Sequence, residues 1–498
     1  MSQLPDYVAS ATPNPPENRA FWLTTTAATY AGIMLWFVFW TGLPHGGTAG
    51  GAGALGAGVA GGVLSQGLLF ALVSLVIAAF ICFLCFYYVP AMLGMKTGLP
   101  LYIVGTSTYG VQGGFYMPGF LMGVLQFGWL SVNGFFAGLG FALLAGQSAG
   151  GIMHIGIGIL WSIVAAFIGL KGIKYVGMVA TYMPIIPIVS LLVLLVATIG
   201  GVFSFDPQGA VNACLAAAAA AEPSRVVGPV GLYGYGELGS LAGQLGVLAL
   251  ICTYIVGFFA TAGAAGCDMG SHNKDRRAIQ LAGLVGIAGA TIFAGGIALV
   301  AIAGAKGMGW EDITLSPYAS LSAILGTQMG GLFILLLAIA AFPAACFSSL
   351  IAANSFKATL PKVDPLISCG IGTAVACLLI ATGIAGNAGI VFKFIGASFG
   401  PICGAMMADY ILSGKKWAGP RAGFNLPGWI SWAVGFLVGG LPILCDVFNW
   451  AVFAPVIPCP PVSAFVVGFG LYWILARAGL ESKVLDMPQR IDLDDAKA

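Results

Sequence analysis

Twelve stretches of this chain are long and apolar enough to cross a membrane, and the polar breaks between most of them are short. They lie near residues 21–43, 63–88, 115–146, 151–170, 174–201, 241–266, 279–304, 327–356, 366–386, 389–412, 428–448 and 455–477. A spanning helix needs about 20 apolar residues. Charged residues make up only 7% of the 498, against roughly 25% in soluble domains. No water-soluble core hides that much apolar surface, so lipid is the solvent. Backbone groups in lipid must be satisfied within the segment, which favours helices for runs of this length. The expected fold class is an all-α polytopic membrane protein of about twelve spans.

The charges set its direction. With the N-terminus in the cytoplasm, sixteen Lys and Arg fall on the inner side, among them Arg19, Lys96, Lys274, Arg276, Arg277, Lys415, Lys416 and Arg421. Two, Arg225 and Lys306, fall outside, and Lys393 lies within a run. This split obeys the positive-inside rule and supports the count, because one missed span would scramble the alternation. Both termini are expected in the cytoplasm of an inner-membrane protein. The eleven Cys lack metal-site or disulfide spacing and read as small buried apolar residues.

The chain divides into a tail at 1–20, five runs over 21–201, a loop at 202–240, five more over 241–412, two further helices over 428–477 and a tail at 478–498. Gly32 interrupts the first run, ahead of Trp36, and Gly257, Gly263 and Gly266 interrupt the sixth. Paired broken helices in corresponding halves are the sequence sign of an inverted-repeat transporter with a midplane site.

The third run carries Gln126, Trp129 and Asn133, spaced three and four apart, so the three share one helix face. An indole stacks on a flat ring and amides pair with its edge; polar packing between helices accounts for the same residues. In the sixth run Phe259 is a candidate to face a ring on Trp129, with core or lipid-facing packing as the alternative, and Thr261 is a candidate donor to the ligand, with a bond to its own i−4 carbonyl as the alternative. Asp268, Asp409 and Lys393 are the charges in or beside the spans, where an ionisable group marks a functional candidate. For both Asp the alternative is an interfacial ion pair. For Lys393 it is snorkelling to the outer surface. Pro343 breaks the eighth run. Upstream of it Ala338 to Ala341 offer no side-chain oxygen. No nucleophile elbow, zinc-protease or phosphate-loop motif occurs, so neither an enzyme nor a cofactor nor a nucleic-acid partner is expected.

The stretch KTGLPLYIVGTSTYGVQGGFYMPGFLMGVLQFGW, from Lys96 to Trp129, resembles the nucleobase:cation symporter-1 family, nearest its cytosine and purine permeases. Trp40-Thr41-Gly42, the sixth run's GFFATAGAAGCD and the tenth run's FIGASFGPICGAMMADYIL add to the likeness. The resemblance implies an amino-acid-transporter-like fold of two inverted five-helix repeats plus two helices, working by alternating access. It implies that Gln126, Trp129, Asn133, Phe259, Thr261, Phe342 and Trp36 surround the substrate, a nucleobase or related small heterocycle such as cytosine or a purine. Asp268 and Lys393 are then candidates for coupling or gating. The chain departs from the family in the eighth run. Leu337 and Phe342 stand near positions of amides, and Ala340 and Ala341 near those of the hydroxyls that sodium-coupled members supply. Proton coupling or none is therefore expected, rather than sodium coupling, with no bound metal. The alternatives are a permease of the same fold for an amino acid, allantoin or a vitamin, and a transport-inactive sensor.

Overall fold

A computed structural model of the chain describes residues 4–22, 62–171, 185–209, 211–212, 238–309, 317–447 and 459–487. The first apolar run with Gly32 and Trp36, and the Ala-rich stretch of the 202–240 loop, lie outside the described residues. Ten described helices are long and apolar enough to span a membrane, and one is shorter. We number these eleven in chain order. They are α1 (Leu68–Thr97), α2 (Phe115–Leu144), α3 (Ile152–Lys171), α4 (Ile185–Ser204), α5 (Leu241–Gly270), α6 (Arg276–Gly307), α7 (Leu321–Lys357), α8 (Pro365–Ala381), α9 (Gly389–Leu412), α10 (Leu426–Leu444) and α11 (Pro460–Arg477). They correspond to runs two to twelve of the sequence.

Local chemistry explains several boundaries. The apolar count ends the second run at Tyr88, but α1 continues through two and a half further turns to Thr97. It stops at Gly98, whose φ of 67° is left-handed and cheap for glycine alone. Side-chain caps open two other helices: Ser240 accepts from the Gly243 N–H ahead of α5, and Asp364 from the Leu366 N–H ahead of α8. Within α7 the helix breaks at Ala341, immediately before Phe342 and Pro343.

The helices pack as two groups. One contains α2, α3, α8 and the second half of α7; in the other α5 packs against α1, α9 and α11, with α6 against α1 and α10 against α9 and α11. Glycine permits the closest approaches in each. A Cβ at Gly138 of α2 would lie 2.5 Å from the His154 carbonyl oxygen of α3. One at Gly94 of α1 would lie 1.9 Å from the Cys267 carbonyl oxygen of α5. Large apolar side chains such as Leu69, Phe167 and Leu378 are left exposed on the outside, as a lipid solvent requires.

One end of the bundle collects residues 4–22 and the described segment after α11. Residues 4–20, part of the tail expected at 1–20, pack there. The Asn14 N–H donates to the Gly98 carbonyl at 2.8 Å and its Nδ2 to the Ser271 carbonyl at 3.0 Å. Arg19 Nη1 donates to the Met95 carbonyl at 2.7 Å. The carboxyl-terminal segment pairs back on the α9–α10 loop: the Leu485 N–H donates to the Pro420 carbonyl at 2.7 Å.

Candidate functional site

Trp129 sits on α2 where the two helix groups meet. Its indole Nε1–H crosses to α5 and donates to Thr261 Oγ1 at 3.2 Å. Its ring meets the edge of Phe258 at 4.6 Å between centroids and 77°, and lies 5.0 Å from Phe392 of α9 at 32°. Phe258 and Phe392 are themselves T-shaped at 5.4 Å. Three aromatic rings and one hydroxyl from three helices thus converge at the seam, an arrangement suited to holding a flat ring.

The ring that meets Trp129 is Phe258, while Phe259, the candidate to face a bound ring, lies on another side of α5. Helical spacing gives the reason. Phe258 and Thr261 are three apart and share a face of α5, whereas Phe259 is turned about 100° further on. Phe259 is 2% exposed within its own group and touches Phe258 at 5.3 Å. The same spacing rule, applied to Thr261, points to Phe258 from sequence. Phe392 had no such signal, because α9 reaches the seam only through tertiary packing.

The two amides differ. Gln126 is 5% exposed, and its Nε2 reaches only the Met122 thioether of its own helix, at 3.5 Å, a weak acceptor. Asn133 joins three helices. Its Nδ2 donates to the Ala341 carbonyl of α7 at 2.9 Å, and its Oδ1 accepts from the Trp161 indole of α3 at 3.3 Å. Phe342 presents an edge-on contact to Trp161 at 4.9 Å. Trp161 was not singled out from sequence, where it is one more aromatic in an apolar run.

Trp36 lies outside the described residues. Asp268 lies seven residues beyond Thr261, about 10 Å along the helix. Its Oδ1 accepts from the Leu101 N–H at 2.9 Å. It therefore ties the end of α5 to the segment joining α1 and α2, away from the aromatic cluster. Lys393 follows Phe392 directly and is 8% exposed, so it does not snorkel to the surface. Among the described residues no three His, Cys, Asp or Glu side chains group as metal ligands.

Asp409, near the carboxyl-terminal end of α9, is an ion-pair residue. Arg421 Nη1 donates to its Oδ1 at 2.9 Å. Ser107 Oγ and Thr108 Oγ1 donate to its Oδ2 at 2.7 and 3.0 Å. Arg421 Nη2 pairs with Glu481 of the carboxyl-terminal segment at 2.8 Å. Burial pulls the Arg421 pKa down, but the neighbouring Asp409, Tyr472 and Glu481 outweigh it and raise it above the usual value.

No protein-family model matches the chain, and no curated protein is significantly similar to it. Solved structures are similar over nearly its whole length. The inward-facing conformation of Mhp1 matches with a TM-score of 0.62 at 14% identity, covering 97% of this chain and 96% of that one. Mhp1, a nucleobase-cation-symport-1 family transporter, in a closed conformation with bromovinylhydantoin bound, matches at 0.59 and 13%, covering 95% and 97%. A substrate-bound, outward-open sodium-coupled sialic acid symporter matches at 0.51 and 11%, covering 93% and 99%. Both chains being covered almost end to end, this protein has the all-helical, multi-pass transporter fold of Mhp1, the fold that the Lys96–Trp129 resemblance implied.

Proposed function

We propose that the chain is a secondary transporter of the nucleobase-cation-symport-1 family. It carries a nucleobase or a related small heterocycle across the cytoplasmic membrane by alternating access. The observation that carries this reading is the seam site. Trp129 belongs to one helix group, while Thr261, Phe258 and Phe392 belong to the other, so rocking of one group against the other opens and closes the site. A flat ring inserted there replaces the ring contacts of Trp129. Gln126, Asn133 and Thr261 supply polar edges; Phe259, Phe342 and Trp36 complete the surroundings. The two five-helix repeats run over 21–201 and 241–412, with both termini cytoplasmic. The hydantoin bound to Mhp1 is likewise a small flat heterocycle, which supports that ligand class.

Sodium needs oxygen ligands, and Ala340 and Ala341 supply no side-chain oxygen. Coupling is therefore to protons or absent, with Asp268 and Lys393 as the groups to examine.

The test is a thermal-shift panel on purified protein: cytosine, uracil, hypoxanthine, adenine and hydantoin against amino acids, each with and without sodium. A ligand of the folded state raises the melting temperature in proportion to RT ln(1 + [L]/Kd). A dose-dependent shift by a heterocycle, lost in Trp129→Ala, is the expected result. A shift by amino acids alone overturns the substrate class, and a shift that requires sodium overturns the coupling.

A further inference from the structure

The break in α7 is held by one indole that plays no part in the seam site itself. Pro343 has no N–H, so the Ile339 carbonyl loses its helical donor and the helix yields nearby. At that break the Ala341 carbonyl accepts from the Ala345 N–H at 3.3 Å and from Asn133 Nδ2 at 2.9 Å. An asparagine amide is nearly symmetric in shape, and its partners alone fix which end is oxygen. The Trp161 indole only donates. Its 3.3 Å bond and the acceptor-only Ala341 carbonyl together set Oδ1 of Asn133 towards α3 and Nδ2 towards α7. The face of the same indole braces Phe342 at 4.9 Å and 77°. The backbones around it are close: a Cβ at Gly169 of α3 would lie 2.4 Å from the Cys346 carbonyl oxygen of α7.

We propose that Trp161 is a positioning residue that sets substrate selectivity, by fixing the orientation of the Asn133 amide and the place of Phe342. This rests on the transporter reading above only for the identity of the ligand. With Oδ1 pinned by the indole, Asn133 keeps one N–H and one lone pair in fixed directions. It then distinguishes a heterocycle edge that accepts from one that donates. Cytosine and uracil carry opposite edges, an amino group beside a ring acceptor in one and a carbonyl beside a ring N–H in the other.

The experiment compares wild type, Trp161→Phe, Asn133→Leu and the double variant. Trp161→Phe keeps a ring against Phe342 and removes the N–H together with part of the indole's bulk, so the Asn133→Leu background separates the lost hydrogen bond from the lost volume. Two readouts are taken: the ratio of Kd values for cytosine and uracil, and the alkylation rate of native Cys346 by N-ethylmaleimide, read by mass spectrometry. Cys346 is 2% exposed and lies one turn past Phe342, so a loosened break uncovers it. We expect Trp161→Phe to move the Kd ratio towards one by about fivefold, the worth of one neutral hydrogen bond. It should also speed Cys346 alkylation severalfold, and neither effect should appear in the Asn133→Leu background. Unchanged alkylation overturns the proposal. So does an effect undiminished by Asn133→Leu, and so does faster alkylation with an unchanged ratio, which leaves Trp161 a packing residue. If wild type binds neither base, the ligand reading fails, and the alkylation cycle alone decides the positioning.

Discussion

At the residue scale, the Trp129–Thr261 contact is the most informative single bond. Its donor and acceptor belong to different helix groups, and each is buried or half-buried. Thr261→Val keeps the shape but removes the acceptor, leaving the indole N–H unpaired at a cost of about 1–3 kcal/mol. The expected outcome is a modest loss of thermal stability together with weaker ligand binding. Trp129→Phe should lose less binding than Trp129→Ala, because a ring remains to meet Phe258 and Phe392. Isothermal titration of the three variants checks the order. Equal losses for Phe and Ala would show that the indole N–H, not the ring, carries recognition. The three residues on one face of α2 were legible from their spacing. Their partners were not, because spacing says which side chains share a face and not what packs against it. Asn133 shows this: its amide is engaged by Ala341 and Trp161, more than 200 and 28 residues away in sequence.

At the element scale, the helices are held by close backbone approach more than by large side chains. Small residues serve this purpose in lipid, where no hydrophobic force drives one helix against another. Gly94 is one of the two severest cases, with Gly307, since a Cβ there would sit 1.9 Å from a carbonyl oxygen of α5. Gly94→Ala should abolish folding or lower the melting temperature steeply, whereas Gly470→Ala, with nothing within 4 Å, should be silent. Size-exclusion profiles and thermal melts of the pair check this. High glycine content was visible in the sequence, but which glycines are indispensable was not. That depends on which helix crosses at which residue. Helix existence was legible for the eleven runs among the described residues, because an apolar run of span length has few alternatives in lipid. Ends were less so: α1 outlasts its apolar run because Gly98, not loss of hydrophobicity, terminates it.

At the scale of the whole molecule, residues 4–22 and the described segment after α11 pack at one end of the bundle. The buried Arg421 joins Asp409 of α9, the Ser107–Thr108 segment and Glu481. Arg421→Ala leaves Asp409 buried without its cation, and breaking a buried pair from one side costs roughly 3–5 kcal/mol. Glu481 keeps 31% of its side chain in solvent, so Glu481→Ala should cost far less. Thermal melts of the two variants test the order; equal effects would show that the carboxyl-terminal segment, rather than the Arg421–Asp409 pair, anchors this face.

The sequence by itself determined the solvent, the helices now seen among the described residues and the α2 face that carries Trp129, and its Lys96–Trp129 resemblance implied the fold. The first three follow from composition, run length or local spacing, which are properties of neighbouring residues. Tertiary structure alone decided that Phe258 and Phe392 meet Trp129, that Trp161 and Asn133 hold the break in α7, and that Arg421 closes the Asp409 cluster. These contacts join residues far apart in the chain. Side chains on different helices meet only where the backbones cross, and no periodicity within one helix records the position of a crossing.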